Sequence, residues 1–165
     1  MQEINWSEKI KDALDRTEFM ALSTQGENGS WVCPVAFSYD ESVNLYFISL
    51  MDSVHVKNLL KNDSVSVAIY RTERFGDGDV IGLQAVGNVK HVTESEELSV
   101  CSGYYFGRNE DNDSFRDSIS AEKGEGAGWQ FFKITLDQMW YFNSFEYGEK
   151  RMKVPLETLA IAAPN

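Results

Sequence analysis

The sequence predicts a mostly β protein in which six or seven short antiparallel strands form a barrel or a sandwich, with helices between or outside them. Three observations lead to this prediction. Short apolar runs alternate along most of the chain with turns that carry Gly, Asn or Asp. The run "SVSVAIY" (64–70) alternates between large apolar and small residues, as a strand with one buried face does. The chain has 165 residues, 42% of them hydrophobic, which fits a single domain over residues 1–165 with its own core.

The first predicted element is an amphipathic helix, "NWSEKIKDALDRT" (5–17). Asn5 can cap its start, and Glu8, three residues later, is the partner that a capping box requires. Trp6, Ile10 and Leu14 recur at every fourth residue and predict one apolar stripe along the helix.

Three strands are predicted next. "EFMALST" and "WVCPVAFSY" are joined by the loop "QGENGS", and "DES" turns the chain into "VNLYFISL" (43–50). Pro34 lies inside the second strand, which favours a sheet edge or a bulge because proline cannot donate a ladder hydrogen bond. The third strand is apolar on both faces, although a barrel strand needs only its inner face dry. A helix or a second subunit must cover the outer face. Since few helices are predicted, we expect a subunit and therefore a homodimer.

The segment "LMDSVHVKNLLKND" (50–63) predicts a helix of two to three turns that begins at Asp52 or Ser53. His55 and Lys57 follow closely, although cations near a helix N-terminus oppose its partial positive charge by some tenths of a kcal/mol. A phosphate bound at that end would make this electrostatic contribution favourable, because the backbone N–H groups, the Ser53 hydroxyl and both side chains could then point at one anion. The alternative is that Lys57 is a solvated surface residue and that His55 hydrogen-bonds a carbonyl or Asp52.

The second half of the chain continues the β pattern. "VIGLQAVGNVKHV" (80–92) predicts a long strand in which Gly82 and Gly87 allow bending or close backbone approach. "TESEELSVCSGYYF" (93–106) predicts a helix, and the polar stretch 107–128 a mobile loop or a lid. "WQFFKITL" and "QMWYFNSF" predict two last strands joined by a short turn at Asp137.

Composition excludes several classes of partner. The net charge of −11 and the pI of about 4.6 repel phosphate backbones and anionic lipid, so we expect neither nucleic acid nor a membrane as a partner. The chain shows no leader segment and no apolar run of about 18 residues, which predicts a cytoplasmic protein. Cys33 and Cys101 are expected to be reduced, buried thiols. No metal site is expected, because His55 and His91 lack zinc-binding spacing.

Several segments, taken in order, resemble the FMN-binding split-barrel family, the pyridoxamine 5'-phosphate oxidase-like proteins. After the first helix and "FMALST", "WVCPVAFSYDESVNLYFIS" is similar to the family's paired strands with a Pro-bearing second strand. "SVHVKNLLKNDSVSVAIY" resembles the pattern S-x-(K or H)-x-x-N-L followed by a β-branched strand. "LQAVGNVKHVTESEE" resembles the long glycine-bearing strand and its helix. "MWYFNSFEYGEKRMKVPL" resembles the closing strand with a later Gly-x-x-Arg.

The resemblance implies a split β-barrel homodimer that holds two FMN molecules in grooves between the subunits. It implies that the phosphate is bound by Ser53, His55 and Lys57, and that Asn58 braces the start of the helix. The ribityl chain and ring would be contacted by Ser49 and Leu50 and by the backbone of Pro34, Val35 and Ala36. The other subunit would contribute Trp140 and Arg151.

The chain departs from the family pattern in several places. Val54 and His55 stand where the family often has Arg and Lys, and Gly82 takes the place of a glutamine that reads the flavin in the oxidase. No match exists for the residues that bind the oxidase's substrate phosphate. We therefore predict an FMN-dependent oxidoreductase with a small-molecule substrate other than pyridoxamine phosphate, and the sequence singles out no general acid or base.

Other functions stay open from the sequence. The chain could bind flavin without turnover as a stress or storage protein. It could bind or degrade haem, with His55 or His91 as the ligand, as some split-barrel relatives do. A deazaflavin, or a dimeric scaffold without a cofactor, are the remaining alternatives.

Overall fold

The computed structural model describes residues 4–71, 80–108 and 128–164. None of the helices within these ranges has both the length and the apolar character needed to cross a membrane. In chain order the elements are α1 (Trp6–Asp15), β1 (Phe19–Gly26), β2 (Gly29–Ala36), β3 (Ser38–Tyr39), β4 (Leu45–Leu50), α2 (Val54–Leu59), β5 (Ser64–Tyr70), β6 (Ile81–His91), α3 (Ser95–Arg108), β7 (Trp129–Asn143), α4 (Ser144–Tyr147), β8 (Arg151–Lys153) and a 3-10 turn (Leu156–Thr158).

The strands form one antiparallel sheet in the order β2-β1-β5-β6-β7-β4-β3, with β8 also paired to β7. The sheet curls so that β2 and β4 approach each other without pairing. The result is a barrel that stays open between these two strands, so the predicted mostly β split barrel is confirmed. Pro34 lies in β2, which pairs with β1 on one side and forms an edge of the sheet, as the proline predicted.

Helix α1 follows its predicted pattern. Asn5 Oδ1 accepts a hydrogen bond from the Glu8 backbone N–H at 3.3 Å, and Asn5 Nδ2 donates to Glu8 Oε2 at 3.1 Å. Ile10 and Leu14 are fully buried, and Trp6 packs at the margin of the core. The helix therefore lies with its apolar stripe on the barrel, and a local side chain satisfies one of its N-terminal donors.

The main core fills the inside of the barrel. Alternate residues of each strand point inward, as period-two burial along β5 and β6 shows. Phe47 from β4 and Phe132 from β7 stack at the centre with their ring centroids 5.1 Å apart. This continuous apolar interior holds the strand ends in fixed positions, including the ends that border the candidate site.

The outer face of β4 is covered by α3, which corrects the expectation that a second subunit covers it. Tyr46 and Ile48 point away from the barrel and are buried in a second apolar cluster. Cys101, Tyr105 and Phe106 of α3 supply the other side of this cluster. The predicted helix was placed correctly in the sequence, but no pattern in the sequence shows which sheet face a helix will pack on.

The predicted turn at Asp137 is wrong, because β7 is one continuous strand of 15 residues. Its pairing with β6 shifts register between Val86 and Gly87, where Val86 pairs with Gln138 and Gly87 with Leu136. Asp137 is the extra residue of this β-bulge, and its carboxylate accepts a hydrogen bond from Asn88 Nδ2 at 2.9 Å. β7 pairs with β4 before the bulge and with β8 after it.

The two thiols are expected to differ in reactivity. Both cysteines are free; Cys101 is buried and Cys33 is half-buried. Burial raises the pKa of the Cys101 thiol to about 11, and burial also raises that of Cys33. At pH 8, Cys101 of the native protein is therefore expected to resist a disulfide-exchange reagent, and Cys33 to react slowly. In urea both should react; a missing thiol in urea would contradict the reduced state.

Candidate functional site

A pocket of about 410 Å³ lies in the opening between β2 and β4. One edge of β4 is paired with β7 over the whole length of β4. Within the described chain, β3 covers the opposite edge of β4 at Leu45 and Tyr46 alone. The pocket is therefore bordered by two strand edges, where backbone groups can meet a ligand. Its described lining residues are Pro34, Val35, Ala36, Ile48, Ser49, Leu50, Ser53, His55, Tyr105 and Trp129.

One end of the pocket is polar. His55 Nε2 lies 2.6 Å from Ser49 Oγ and 3.4 Å from Ser53 Oγ, and the two hydroxyl oxygens are 3.4 Å apart. Ser53 is the N-cap of α2, where its Oγ also accepts a hydrogen bond from the Val56 N–H. Ser49 comes from the end of β4 and is 5% exposed. The turn between β4 and α2 thus brings two hydroxyl groups and one imidazole to the same point.

The electrostatics of this end differ from the expected pair of cations. Burial lowers the pKa of the His55 imidazole, so the ring is neutral at pH 7. α2 has six residues, less than two turns and shorter than predicted, and Lys57 lies exposed in its last turn. A cation is favourable there. The expected crowding of two positive groups at the helix start is therefore absent, and the polar end consists of neutral hydrogen-bonding groups.

The other end of the pocket is apolar and aromatic. Val35 and Ile48 are buried, and Tyr105 from α3 and Trp129 at the start of β7 add two rings. Tyr105 packs edge-on against Phe131, with ring centroids 6.1 Å apart, and burial raises the pKa of its phenol. A pocket with a hydrogen-bonding end and an aromatic end suits a ligand that has a polar group and a flat ring system.

Most of the residues predicted to bind a cofactor come together in this pocket. They are Pro34, Val35, Ala36, Ser49, Leu50, Ser53 and His55. Their role toward a cofactor stays a prediction. Sequence reasoning missed Ile48, Tyr105 and Trp129. Trp129 pairs with Leu50 in the β4–β7 register, so only the strand pairing could have indicated it.

Lys57 and Asn58 do not line the pocket within the described chain. Asn58 donates from Nδ2 to Thr24 Oγ1 at 3.1 Å and fills the space beside Gly26, where an added Cβ would lie 2.5 Å from Asn58 Oδ1. Asn58 therefore ties α2 to β1. Its predicted role at the cofactor stays a prediction.

Trp140 and Arg151 also lie away from this pocket, on the paired strands β7 and β8. The Arg151 guanidinium is 4.0 Å from the centroid of the Phe142 ring. Gly82 of β6, which we predicted to stand in place of the family's glutamine, pairs with Phe142 of β7. Because the resemblance assigns Trp140 and Arg151 to the partner's cofactor, their predicted contacts concern the dimer and remain a prediction.

Two further predicted features lie elsewhere. His91 does not line the pocket; its Nε2 is 3.2 Å from Gln130 Oε1 and its ring stacks on Phe132. The predicted loop or lid at 107–128 falls mostly on residues 109–127, which lie outside the described residues.

The sequence matches the model of a protein family described as pyridoxamine 5'-phosphate oxidase over residues 6–141. None of the curated proteins matches the sequence. Solved structures at low identity share the fold. A haem binding protein from Mycobacterium smegmatis is 13% identical with a TM-score of 0.73 and aligns over 99% of this chain and 63% of its own. This chain therefore spans less than two thirds of that protein.

Two shorter relatives align over most of their own length. The haem storage protein HutZ from Vibrio cholerae is 17% identical, with a TM-score of 0.64 over 82% of this chain and 94% of its own. A FAD-binding protein from Mesorhizobium loti is 16% identical, with a TM-score of 0.59 over 78% of this chain and 88% of its own. At such identities the likeness concerns the fold, which hosts proteins with different cofactors.

Proposed function

The chain belongs to the pyridoxamine 5'-phosphate oxidase family, and we propose that it is an FMN-binding flavoprotein that acts as an oxidoreductase on a small molecule. The observation that carries this proposal is the pocket between β2 and β4, which has hydroxyl and imidazole groups at one end and aromatic rings at the other. FMN has the same division, with a phosphate at one end and a flat ring system at the other. Both cysteines are free, which agrees with a reducing, cytoplasmic environment.

The polar end would hold the phosphate. Ser49 and Ser53 each carry a hydroxyl that can donate to a phosphate oxygen, and His55 lies within hydrogen-bond distance of Ser49. The net charge of −11 makes a local group of donors necessary, since the general field of the protein repels an anion. Lys57 is exposed in the last turn of α2, and we assign it at most a long-range electrostatic contribution.

The ring end would hold the isoalloxazine. The strand edges at Pro34–Ala36 and Ile48–Leu50 offer backbone groups to the heteroatoms of a flat ring, and Tyr105 and Trp129 offer apolar contact. When bound, FMN supplies the electron-transfer chemistry, while these residues orient it and exclude water. His55 is the one imidazole among the described lining residues, and we assign it to ligand binding rather than to proton transfer.

We further propose that the protein is a homodimer. The outer face of β1, β2 and β5 carries exposed apolar side chains, including Val32, which is 61% exposed, and Tyr70, which is 52% exposed. α3 packs on β4 rather than on this face. A sheet face beside the pocket that exposes such apolar side chains is a suitable interface for a second copy. Trp140 and Arg151 would then reach the cofactor of the partner.

The absorbance spectrum of freshly purified protein tests the cofactor directly. We expect yellow protein, or colourless protein that becomes a yellow complex on FMN titration, with NADH or NADPH bleaching the bound flavin. Bound flavin that neither nucleotide reduces would support a storage role instead of an oxidoreductase. A Soret band with no flavin binding would overturn the proposal in favour of haem, the ligand named for two of the similar structures.

Two substitutions on α2 test the position of the phosphate. His55→Ala removes a donor from the polar end and should weaken FMN binding about tenfold or more, since a hydrogen bond to a charged group contributes about 1.5–3 kcal/mol. Lys57→Ala removes a full charge nearby but outside the pocket lining, and should change the FMN Kd by less than about threefold at physiological salt. Equal affinity of His55→Ala and the wild type would place the phosphate elsewhere.

A further inference from the structure

We propose that the pocket takes up one proton on His55 together with the ligand's phosphate, so that ligand affinity falls as pH rises above neutral. The inference rests on the proposed function, because it concerns the phosphate of FMN at the same site. It goes beyond that function by making ligand release depend on pH. The carrying observation is the contact of His55 with Ser49 and Ser53 in a pocket without a fixed cation among its described lining residues.

The geometry allows two hydrogen-bonding states. When the imidazole is neutral and its Nε2 is unprotonated, Nε2 accepts from the Ser49 hydroxyl at 2.6 Å, so that hydroxyl hydrogen points at the ring. When Nε2 carries a proton, it donates to Ser49 Oγ, and the Ser49 hydroxyl hydrogen can turn toward a ligand. Protonation of His55 therefore adds a positive charge and fixes Nε2 as the donor, a role that the neutral ring takes in only one of its two tautomers. Both changes favour a bound phosphate.

The surroundings favour the neutral ring until an anion arrives. Burial lowers the pKa of His55. The neighbouring strands β1, β2 and β4 carry no Asp, Glu, Lys or Arg. Besides His55, the described pocket lining carries one titratable side chain, the Tyr105 phenol of α3. The Cys33 thiol lies next to Pro34 in β2, and Asp52 and Lys57, which are both exposed, lie on either side of His55 in the chain. Burial raises the pKa of Cys33 and Tyr105, so both stay uncharged near neutral pH. None of the described residues that line the pocket is a carboxylate, so a ligand phosphate would supply the negative charge that stabilises a cationic His55.

The sign of the pH dependence follows from linkage. A phosphate monoester has its second pKa near about 6, so above about pH 7 the free ligand is a dianion and free His55 is neutral. The complex holds a proton that neither partner carried alone, because the bound dianion raises the pKa of His55. Affinity then decreases with rising pH, by at most about tenfold per pH unit, until the pH exceeds the pKa of His55 in the complex. Below about pH 6 the free phosphate already carries the proton, and the dependence flattens.

Calorimetric titration of the full-length protein with FMN in buffers of different ionisation enthalpy counts the protons taken up. At pH 7.5 we expect uptake of about one proton per FMN, and an FMN affinity about tenfold weaker at pH 8.5 than at pH 7. Riboflavin, which lacks the phosphate, should bind with no proton uptake and with little change over this range. The matched control His91→Gln alters the other histidine, outside the pocket, and should keep the wild-type uptake.

Two variants of His55 separate charge from protonation. His55→Lys carries a fixed charge over this range and should bind FMN with no proton uptake and a flat pH profile. His55→Gln should bind FMN more weakly than the wild type at pH 7, also with a flat profile. Wild-type FMN binding that exceeds riboflavin binding but takes up no proton would overturn the proton coupling and leave the flavin site in place. Equal affinities for FMN and riboflavin, or no binding of either, would overturn both proposals.

Discussion

Gly87→Ala is expected to lower the free energy of unfolding by about 3 kcal/mol, because the new methyl group would meet the backbone of the neighbouring strand. A Cβ at position 87 would lie 2.2 Å from the Thr135 carbonyl oxygen and 3.0 Å from the Leu136 Cα. β7 cannot move away easily, since Ile134 pairs with both Leu45 of β4 and Val89 of β6. The bulge at Asp137 brings the two backbones this close.

Gly82→Ala is the matched control, because Gly82 lies in the same strand. A Cβ there would meet its nearest neighbours, the Ile69 carbonyl oxygen and Tyr70 Cβ, at 3.4 Å, which is ordinary contact. We expect a change of less than about 1 kcal/mol for this variant. Urea unfolding curves of the two variants and the wild type provide the comparison. Similar midpoints for Gly87→Ala and Gly82→Ala would show that the bulge relaxes to admit a side chain.

Arg108→Met is expected to destabilise the protein by a similar amount, about 3 kcal/mol, because it removes a buried guanidinium that donates to three carbonyl groups, of which the Leu14 carbonyl keeps a backbone donor, the Thr17 N–H. The Arg108 guanidinium, in the last residue of α3, donates to the carbonyl oxygens of Leu14, Thr17 and Phe37. It also lies 4.7 Å from the centroid of the Phe37 ring. One side chain therefore joins the end of α3 to the end of α1 and to the segment between β2 and β3.

Arg108→Lys should recover only part of this stability, because an ammonium group lacks the planar fork that reaches three carbonyls. The control is Arg16→Met, which removes an arginine whose side chain is 52% exposed and which pairs with Asp12 along α1. That change should cost less than about 1 kcal/mol. Thermal unfolding monitored by circular dichroism would measure all three variants. An Arg108→Met variant as stable as Arg16→Met would mean that water replaces the guanidinium at these carbonyls.

Local patterns predicted the elements that depend on neighbouring residues. The two hydrogen bonds between Asn5 and Glu8 form because both residues lie within one turn of the chain. Pro34 predicted the sheet edge because it lacks a donor, whatever the rest of the fold does. The strand "WVCPVAFSY", in contrast, divides at Phe37 into β2 and β3, which pair with different strands. The alternation of apolar residues continues through this break, so the sequence pattern does not indicate it.

The candidate site shows the same limit. Ser49, Ser53 and His55 lie within seven residues of sequence, so a strand followed by a short helix brings them together locally. Tyr105 and Trp129 reach the same pocket only because α3 packs on the outer face of β4 and because β7 pairs with β4. The protonation state of His55 also could not be predicted from the sequence. The sequence predicts an ionisable side chain, but its pKa depends on burial and on the charges around it.

The sequence by itself determined the mostly β character, the elements with strong local signals and the family, since apolar period, caps and turn residues act over a few positions. The tertiary structure decided which helix covers β4, that β7 runs through Asp137 as one strand, and that the polar end of the pocket is neutral. Each of these depends on contacts between residues far apart in the chain. Such contacts are set by the packing of the whole barrel, which no local pattern encodes.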